Sequence, residues 1–372
     1  MTSFDAVDTT DIGNTVHAVQ DRALSLEKER APTYMLWLKR GSLSIILDRR
    51  TTKITITMAL ITIAVGIWVI GIGAASVSYQ EVVDVLLGGG STSHRLIVIQ
   101  WRIPRIVAAI VVGIALGIAG SIFQTITYNP LASPDLIGFT MGAQTGILLA
   151  VIMFGNSLAG ITIFSLTGGL ITGAVIYALA ARGGFSGLQL ILGGIAISAM
   201  LSSFNRWLIV HADADTAFGA MKAITGTSAR ANWEIVLPCA IGIGLIVGAT
   251  LFLQPSLEVL SLGSELSTTL GVHRNLVQGL LVLLAVGLVA FATIIAGPIS
   301  FIGLLAPHIA RKICRRSDAS LWVSGLCGAL LLLFADLLSQ TLVDNLPVGI
   351  VTAIIGGLYF MGLLITEVRR KL

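Results

Sequence analysis

Charged residues are scarce in this sequence. Asp, Glu, Lys and Arg together make up 11% of the 372 residues, whereas a soluble globular domain carries roughly 25%. Hydrophobic residues reach 55% and there are 41 glycines, a residue that is more frequent in membrane helices than in soluble ones. This balance excludes an ordinary soluble enzyme and favours one helical membrane domain.

Metal-ligand and nucleotide-binding patterns are also missing. The three cysteines, Cys239, Cys314 and Cys327, lack ligand spacing, so we interpret them as small buried hydrophobic residues. No His, Cys and carboxylate cluster predicts a metal site, and no G-x-x-x-x-G-K-[ST] segment predicts a phosphate-binding loop. We therefore expect no metal, no cofactor and no catalytic centre in this chain. Any ATP would bind a partner subunit.

Long apolar runs dominate what is present. A bilayer core of about 30 Å requires roughly 20 apolar residues in a helix. Ten runs of suitable length or nearly so occur at 52–73, 104–126, 136–155, 158–180, 188–210, 234–253, 276–296, 298–313, 320–343 and 346–366. The sequence thus predicts an all-α polytopic membrane protein with about ten transmembrane helices in residues 51–372. A shorter, more polar segment at 216–228 predicts a surface or re-entrant helix.

Lys and Arg residues indicate the orientation of these spans. With an even number of spans and both termini in the cytoplasm, the positive charges concentrate on the cytoplasmic side, as the positive-inside rule requires. The polar residues 1–50 contain too little apolar material for a core, which predicts a disordered cytoplasmic tail. We expect a multi-pass protein of the cytoplasmic (inner) membrane.

Four features of the sequence are candidates for function. Gly113, Gly117 and Gly120 share one face of the second run and predict close helix packing. Leu262, Leu266 and Leu270 recur every four residues before Gly271, which predicts a short amphipathic helix exposed to cytoplasm and suited to a groove on a partner. A helix lying along the membrane surface is the alternative.

Arg102 and Arg105 flank Pro104 at the predicted outer end of the second run, where they are donors for carboxylates or a snorkelling pair. Asp336 and His308 lie within apolar runs, and we favour hydrogen-bonded structural roles for both over a proton relay.

Five segments together resemble the permeases of the iron–siderophore and cobalamin uptake family of ABC importers. They occur in family order at Arg102–Arg105, Asn129–Gly138, Leu262–Gly271, Gly297–Arg311 and Leu346–Thr352. Within this family, Ser133–Thr140 and Gly356–Phe360 are most similar to the ferric enterobactin, or catecholate, subgroup. The family implies a permease subunit without its own nucleotide site. It also implies a second permease, two cytoplasmic ATPase subunits that bind ATP and Mg²⁺, and an extracytoplasmic siderophore-binding protein. The enterobactin likeness favours a heterodimer of permeases over a homodimer.

The resemblance also assigns roles to residues. It implies that Arg102 and Arg105 meet acidic residues of the binding protein, while Gln340 stands near the position of a third family arginine. It implies a coupling helix that contacts the ATPase and an inner gate at Ser186-Gly187-Leu188. The coupling helix comprises Leu262, Gly263, Ser264, Glu265, Leu266, Leu270 and Gly271.

The function expected from the resemblance is import of ferric siderophore complexes. A cobalamin or haem importer permease of the same family is an alternative. An ion-coupled secondary transporter, which would require an intramembrane carboxylate site, and a membrane enzyme using His308 are alternatives from other classes.

Overall fold

A computed structural model describes residues 35–40, 43–73, 77–155, 157–181, 187–315, 320–341 and 346–371. The chain divides into two compact units, residues 1–53 and 54–372.

The first unit contains an antiparallel hairpin of β1 (Met35–Arg40) and β2 (Leu43–Asp48). Met35 pairs with Asp48 at one end and Arg40 with Leu43 at the other. The two strands coincide with short runs that contain Leu, Met, Trp or Ile, MLWLKR and LSIILD, within the otherwise polar residues 1–50. Residues 1–34 lie outside the described residues, so disorder there stays a prediction.

The remaining elements are helices, separated by short connections. In chain order they are α1 (Arg49–Ile70), α2 (Tyr79–Leu86), α3 (Thr92–Arg95), a π-helix (Leu96–Arg102), α4 (Ile103–Ile126), α5 (Pro134–Ile137), α6 (Phe139–Phe154), α7 (Leu158–Ala181), α8 (Gly187–His211), α9 (Ala214–Ile224), α10 (Trp233–Phe252), α11 (Gln254–Ser261), α12 (Ser264–Thr269), α13 (Arg274–Ala296), α14 (Ile302–Cys314), α15 (Leu321–Thr341) and α16 (Val348–Lys371).

A helix corresponds to each of the ten predicted apolar runs. Among the described residues, seven helices are long and apolar enough to cross a membrane, with Thr92–Ile126 counted as one continuous helix. Phe139–Phe154 and Val348–Gly362 are shorter apolar helices, and Ile302–Cys314 has 13 residues. The predicted helical membrane domain is confirmed, while the exact number of spans and the side of the termini stay predictions. The predicted surface segment at 216–228 coincides largely with α9.

Helix α4 lies at the centre of the domain, where it packs along α15 and contacts α13 and α14. The contact with α15 is close because glycines face its backbone. A Cβ atom added to Gly113 would lie 2.5 Å from the Ala329 Cα, and one added to Gly117 would lie 2.3 Å from the Ser324 carbonyl oxygen. At Gly120 it would overlap the Gly303 carbonyl oxygen of α14. Any side chain at these positions would separate the helices.

Candidate partner-docking and coupling sites

Arg105 and Asp336 form a buried ion pair. Arg105 stands in the first turn of α4, directly after Pro104, and Asp336 lies in α15. The Nε atom of Arg105 donates to both carboxylate oxygens at 3.1 and 3.0 Å, and Nη2 donates to Oδ1 at 3.0 Å. The side chain of Asp336 is 1% exposed and that of Arg105 is 17% exposed. Bidentate geometry is the strong form of a carboxylate–guanidinium contact.

Two neutral side chains complete the surroundings of this carboxylate. Ser228 donates its hydroxyl to Asp336 Oδ1, and Gln340, one turn further along α15, donates Nε2 to Oδ2 at 2.8 Å. We call Arg105, Ser228, Asp336 and Gln340 the Asp336 cluster. It joins two transmembrane helices to the connection between α9 and α10. A hydrogen-bonded structural role for Asp336 agrees with this geometry.

Arg102 is engaged elsewhere. Its Nη1 donates to the carbonyl oxygen of Ile70, the last residue of α1, at 2.7 Å. A Cβ atom added to Gly73 would lie 3.1 Å from Nη2, so a side chain there would crowd the guanidinium. Arg102 and Arg105 therefore share one end of α4 but contact different segments of the chain. Their predicted docking to a binding protein stays a prediction.

The connection that carries Ser228 is held by backbone contacts. The Thr227 amide donates to the Ala296 carbonyl at 2.7 Å, and the Gly349 amide donates to the Gly226 carbonyl at 2.9 Å. Arg230 donates Nη2 to the Thr225 carbonyl at 3.1 Å, and partial burial lowers the pKa of its guanidinium from the ordinary value. The connection between α9 and α10 thus meets the last residue of α13 and the first turn of α16 beside the Asp336 cluster.

The predicted coupling segment, residues 262–271, is broken near its start, at Gly263. A single helix over 262–271 was expected, but α11 ends at Ser261, α12 begins at Ser264, and Gly263 between them has φ +108°. This is a correction to the continuous helix, because glycine adopts positive φ readily and ends regular helical geometry. Side chains of Ser264 and Glu265 lie outside the described residues.

Helix α12 ends at Thr269, two residues before a glycine in the left-handed region. Gly271 has φ +80°. Its amide donates to the Thr268 carbonyl at 3.0 Å, and the Val272 amide donates to the Ser267 carbonyl at 3.1 Å, the two bonds of a Schellman motif. Leu262, Leu266 and Leu270 are 57, 55 and 61% exposed. The three leucines therefore lie at the surface, although a helix break separates the first from the others.

The predicted inner gate is described only in part. Ser186 lies outside the described residues, Gly187 is the first residue of α8, and Leu188 is mostly exposed. A Cβ atom added to Gly187 would lie 2.7 Å from the Thr127 carbonyl oxygen. This contact shows a close approach of backbones, and the gate itself stays a prediction.

His308 of α14 contacts an aromatic ring. Its imidazole meets Tyr359 of α16 edge-on, with ring centroids 5.8 Å apart, and Lys312 Nζ lies 3.4 Å from the Tyr359 hydroxyl. Within the part of the chain that the structure describes, no group of three or more His, Cys, Asp or Glu side chains could hold a metal ion.

Comparisons with known proteins agree with this architecture. The ferric enterobactin transport system permease protein FepG of Escherichia coli (strain K12) is 40% identical over 329 residues, covering 88% of this chain and all of FepG. The Fe(3+)-citrate import system permease protein YfmE of Bacillus subtilis (strain 168) is 35% identical over 328 residues, covering 87% of this chain and 98% of YfmE. A solved inward-facing conformation of a putative metal-chelate type ABC transporter matches with a TM-score of 0.75 and 29% identity, covering 85% of this chain and 99% of that chain.

The model of the FecCD transport family matches residues 58–366, which include all of the helices from α2 to α15 and most of α1 and α16. Because that match extends over most of the sequence, the chain belongs to the FecCD transport family.

Proposed function

We propose that this chain is a transmembrane permease subunit of an ATP-driven importer that carries ferric siderophore complexes into the cytoplasm. The observation that carries the proposal is the 40% identity to a ferric enterobactin permease over the full length of that relative. The similarity to an Fe(3+)-citrate permease supports a ferric chelate as the cargo. Cobalamin or haem is the alternative cargo within the same family.

The importer is completed by other subunits. We propose a second, related permease that forms a heterodimer with this chain, and two cytoplasmic ATPase subunits that bind ATP and Mg²⁺. An extracytoplasmic siderophore-binding protein delivers the chelate. The permease performs no chemistry and alternates between two states that its partners bias.

Coupling to the ATPase takes place through Leu262–Gly271. Exposed leucines on and beside a short helix suit a hydrophobic groove, which is a common mode of helix recognition. Gly263 and Gly271 set the two ends of α12 and so fix the direction in which Leu266 and Leu270 project. Glu265 adds a charge next to these leucines in the sequence.

Docking of the binding protein takes place near the end of α4 that carries Arg102 and Arg105. Both side chains already donate to acceptors of this chain. A carboxylate of the binding protein would therefore either share an arginine with its present acceptor or replace that acceptor. Exchange at Arg105 would weaken its contact with Asp336. Docking would thereby also affect the connection between α9 and α10, because Ser228 in that connection donates to Asp336.

Pairing of Asp336 with Arg105 argues against an ion-coupled transporter. Such a transporter requires a carboxylate that releases and takes up its ion during each cycle. Asp336 is held by a bidentate guanidinium and two further donors, so its carboxylate oxygens already have partners within this chain.

Iron uptake by cells that lack this chain tests the proposal. Ferric catecholate, ferric hydroxamate, ferric citrate and cobalamin are supplied in parallel, and the deletion is complemented with the intact gene. We expect loss of uptake for a ferric siderophore and normal uptake of cobalamin. Normal uptake of all the ferric chelates, in a strain without a second permease for them, would contradict the proposal. Loss of cobalamin uptake alone would support the alternative cargo.

A further inference from the structure

Nitrogen donors occupy one side of α14 near its C-terminal end. His308 precedes Arg311 and Lys312 by three and four residues, a spacing that places the three side chains on the same side of the helix. This side faces α16, because the His308 imidazole meets the Tyr359 ring edge-on and Lys312 Nζ lies 3.4 Å from the Tyr359 hydroxyl. The Arg311 guanidinium also lies within electrostatic range of Tyr359. We call His308, Arg311, Lys312 and Tyr359 the basic seam.

Two nitrogen atoms of the basic seam have no partner in the part of the chain that the structure describes. Arg311 Nη2 and His308 Nε2 are shielded from solvent, and neither makes a hydrogen bond. None of the described carboxylates forms an ion pair with Arg311 or Lys312. A shielded charge is normally paired, because burying it without compensation is costly. The seam therefore presents donors to an acceptor that the described residues do not supply.

Two ordinary explanations of basic residues at a helix end account for Lys312 but not for Arg311. A lysine can extend its charged group toward water while its stem covers apolar surface, and Lys312 is exposed. Basic side chains in the last turn of a helix can also bond its final carbonyl groups. Arg311 Nη2 is shielded from water and bonds no carbonyl group. An anion from outside the chain accounts for both residues.

An exposed apolar strip of α16 continues from the basic seam. Ile355 stands one turn before Tyr359 on the same side of the helix, Leu358 directly precedes Tyr359, and the two are 37 and 67% exposed. Helices α14 and α16 both run toward the predicted cytoplasmic side, so this strip extends from the seam toward the membrane interior. Arg311 and Lys312 lie in the last turn of α14, where a span meets the headgroups. A ligand with an anionic head and a hydrocarbon chain matches both features.

We propose that the basic seam binds the phosphate of an anionic phospholipid of the cytoplasmic leaflet, with an acyl chain along Ile355 and Leu358. Basic pockets between transmembrane helices on the cytoplasmic side suit anionic headgroups. A phosphate offers several acceptor oxygens, so the fork of Arg311 can bond two of them while Lys312 and Tyr359 donate to others. A zwitterionic lipid such as phosphatidylcholine carries its own cation and would gain less from two positive charges. The bound lipid would link α14 to α16.

Thermal unfolding with defined lipids tests this site. The protein is purified in mild detergent together with the subunits that accompany it, and is titrated with dioleoylphosphatidylglycerol, dioleoylphosphatidylcholine or inorganic phosphate. We expect phosphatidylglycerol to raise the unfolding midpoint saturably, and the other two to have little effect. Arg311→Gln should raise the phosphatidylglycerol concentration that gives half of the shift by about 10-fold or more, the factor expected for a lost hydrogen bond to a charged group.

Two further variants bracket that effect. Tyr359→Phe keeps the ring and removes one neutral donor, so it should weaken the response to phosphatidylglycerol by only about 2- to 10-fold. Lys222→Gln removes an exposed charge from α9 and should respond like the unaltered protein. A Lys222→Gln protein that loses as much of the response as Arg311→Gln would show a general attraction of anionic lipid to surface charge and overturn the site.

Stability in detergent alone separates lipid binding from a structural role of Arg311. Because Nη2 has no acceptor among the described residues, Arg311→Gln should unfold at the same temperature as the unaltered protein, or slightly higher, when no anionic lipid is present. Equal destabilisation with and without phosphatidylglycerol would assign Arg311 a structural role. Equal shifts by the two lipids or by inorganic phosphate would indicate an unspecific effect or a free-anion site. No response to phosphatidylglycerol in the complete assembly would indicate that another subunit covers the seam, and each of these results would overturn the proposal.

Discussion

Asp336 is a carboxylate inside a membrane helix, and its neighbours explain how it is tolerated. Three side chains donate hydrogen bonds to it, and one of them, Arg105, also neutralises its charge. Removing one partner of a buried ion pair leaves the other charge without compensation, which typically costs 3–5 kcal/mol. Replacing both partners by apolar residues of similar size is often close to neutral.

This difference predicts the behaviour of variants of the Asp336 cluster. Asp336→Ala should lower the free energy of unfolding by about 3–5 kcal/mol, whereas Gln340→Ala should lower it by only about 1 kcal/mol, because it removes a neutral donor from a carboxylate that keeps its other partners. The double variant Arg105→Met with Asp336→Leu should recover most of the loss. Thermal unfolding of the purified complex in detergent measures all three. Equal stability of Asp336→Ala and Gln340→Ala would contradict a strong ion pair.

Arg105 and Asp336 each stand out in the sequence, but nothing in the sequence indicates that they form a pair. Arg105 stands at a helix end beside Pro104, where the sequence predicts either docking to a partner or snorkelling, and Asp336 stands alone in an apolar run. The two are 231 residues apart, and neither periodicity nor local spacing relates residues at such separation. Only the packing of α4 against α15 brings them together.

Glycine residues of α4 allow its close approach to α15, and the sequence predicts part of this contact. Gly113, Gly117 and Gly120 occur at spacings that place small residues on one helix face, a pattern typical of close membrane packing. The identity of the opposing helices does not follow from that pattern, since several spans contain small residues. The break at Gly263 was missed for a related reason, because leucine periodicity continues through a residue whose backbone leaves the helical region.

Gly117→Ala and Gly248→Ala give a matched test of this packing. At Gly117 the new methyl group would lie 2.3 Å from the Ser324 carbonyl oxygen, while at Gly248 in α10 no atom lies within 4 Å. We expect Gly117→Ala to destabilise the protein by about 1–3 kcal/mol through overpacking, and Gly248→Ala to leave stability unchanged or raise it by about 0.5–1 kcal/mol. Thermal unfolding midpoints of the two variants provide the measurement. A Gly117→Ala protein as stable as Gly248→Ala would show that α15 moves aside at little cost.

Across the whole molecule, the helical membrane domain follows from composition and hydrophobic runs, because every backbone group in lipid must be paired within a helix or a closed barrel. The hairpin at 35–48 does not follow, since it is short and lies in a polar region. Sites that act on other subunits could be proposed from exposed residues and family likeness. Their partners lie outside this chain, so its sequence alone describes only one side of each contact.

Leu266→Ser tests communication between this chain and the ATPase. Leu266 is 55% exposed, so its replacement should leave the free energy of unfolding nearly unchanged. Loss of an anchor in a partner groove typically costs more than about 1 kcal/mol of binding, and the ATPase activity stimulated by the loaded binding protein should therefore fall several-fold. Leu87→Ser is the control, because Leu87 is 82% exposed and lies on the predicted outer side. Full stimulation in the Leu266→Ser importer would argue against coupling through this segment.

The distance along the chain between Arg105 and Asp336 also has a consequence for biogenesis. Translation proceeds at about 5–20 residues per second, so the 231 residues that separate the pair take roughly 10–50 s to synthesise. Throughout that interval the nascent permease holds an arginine at the end of a membrane helix without its carboxylate. The ion pair therefore closes late in synthesis, and a product truncated before residue 336 leaves Arg105 without this partner.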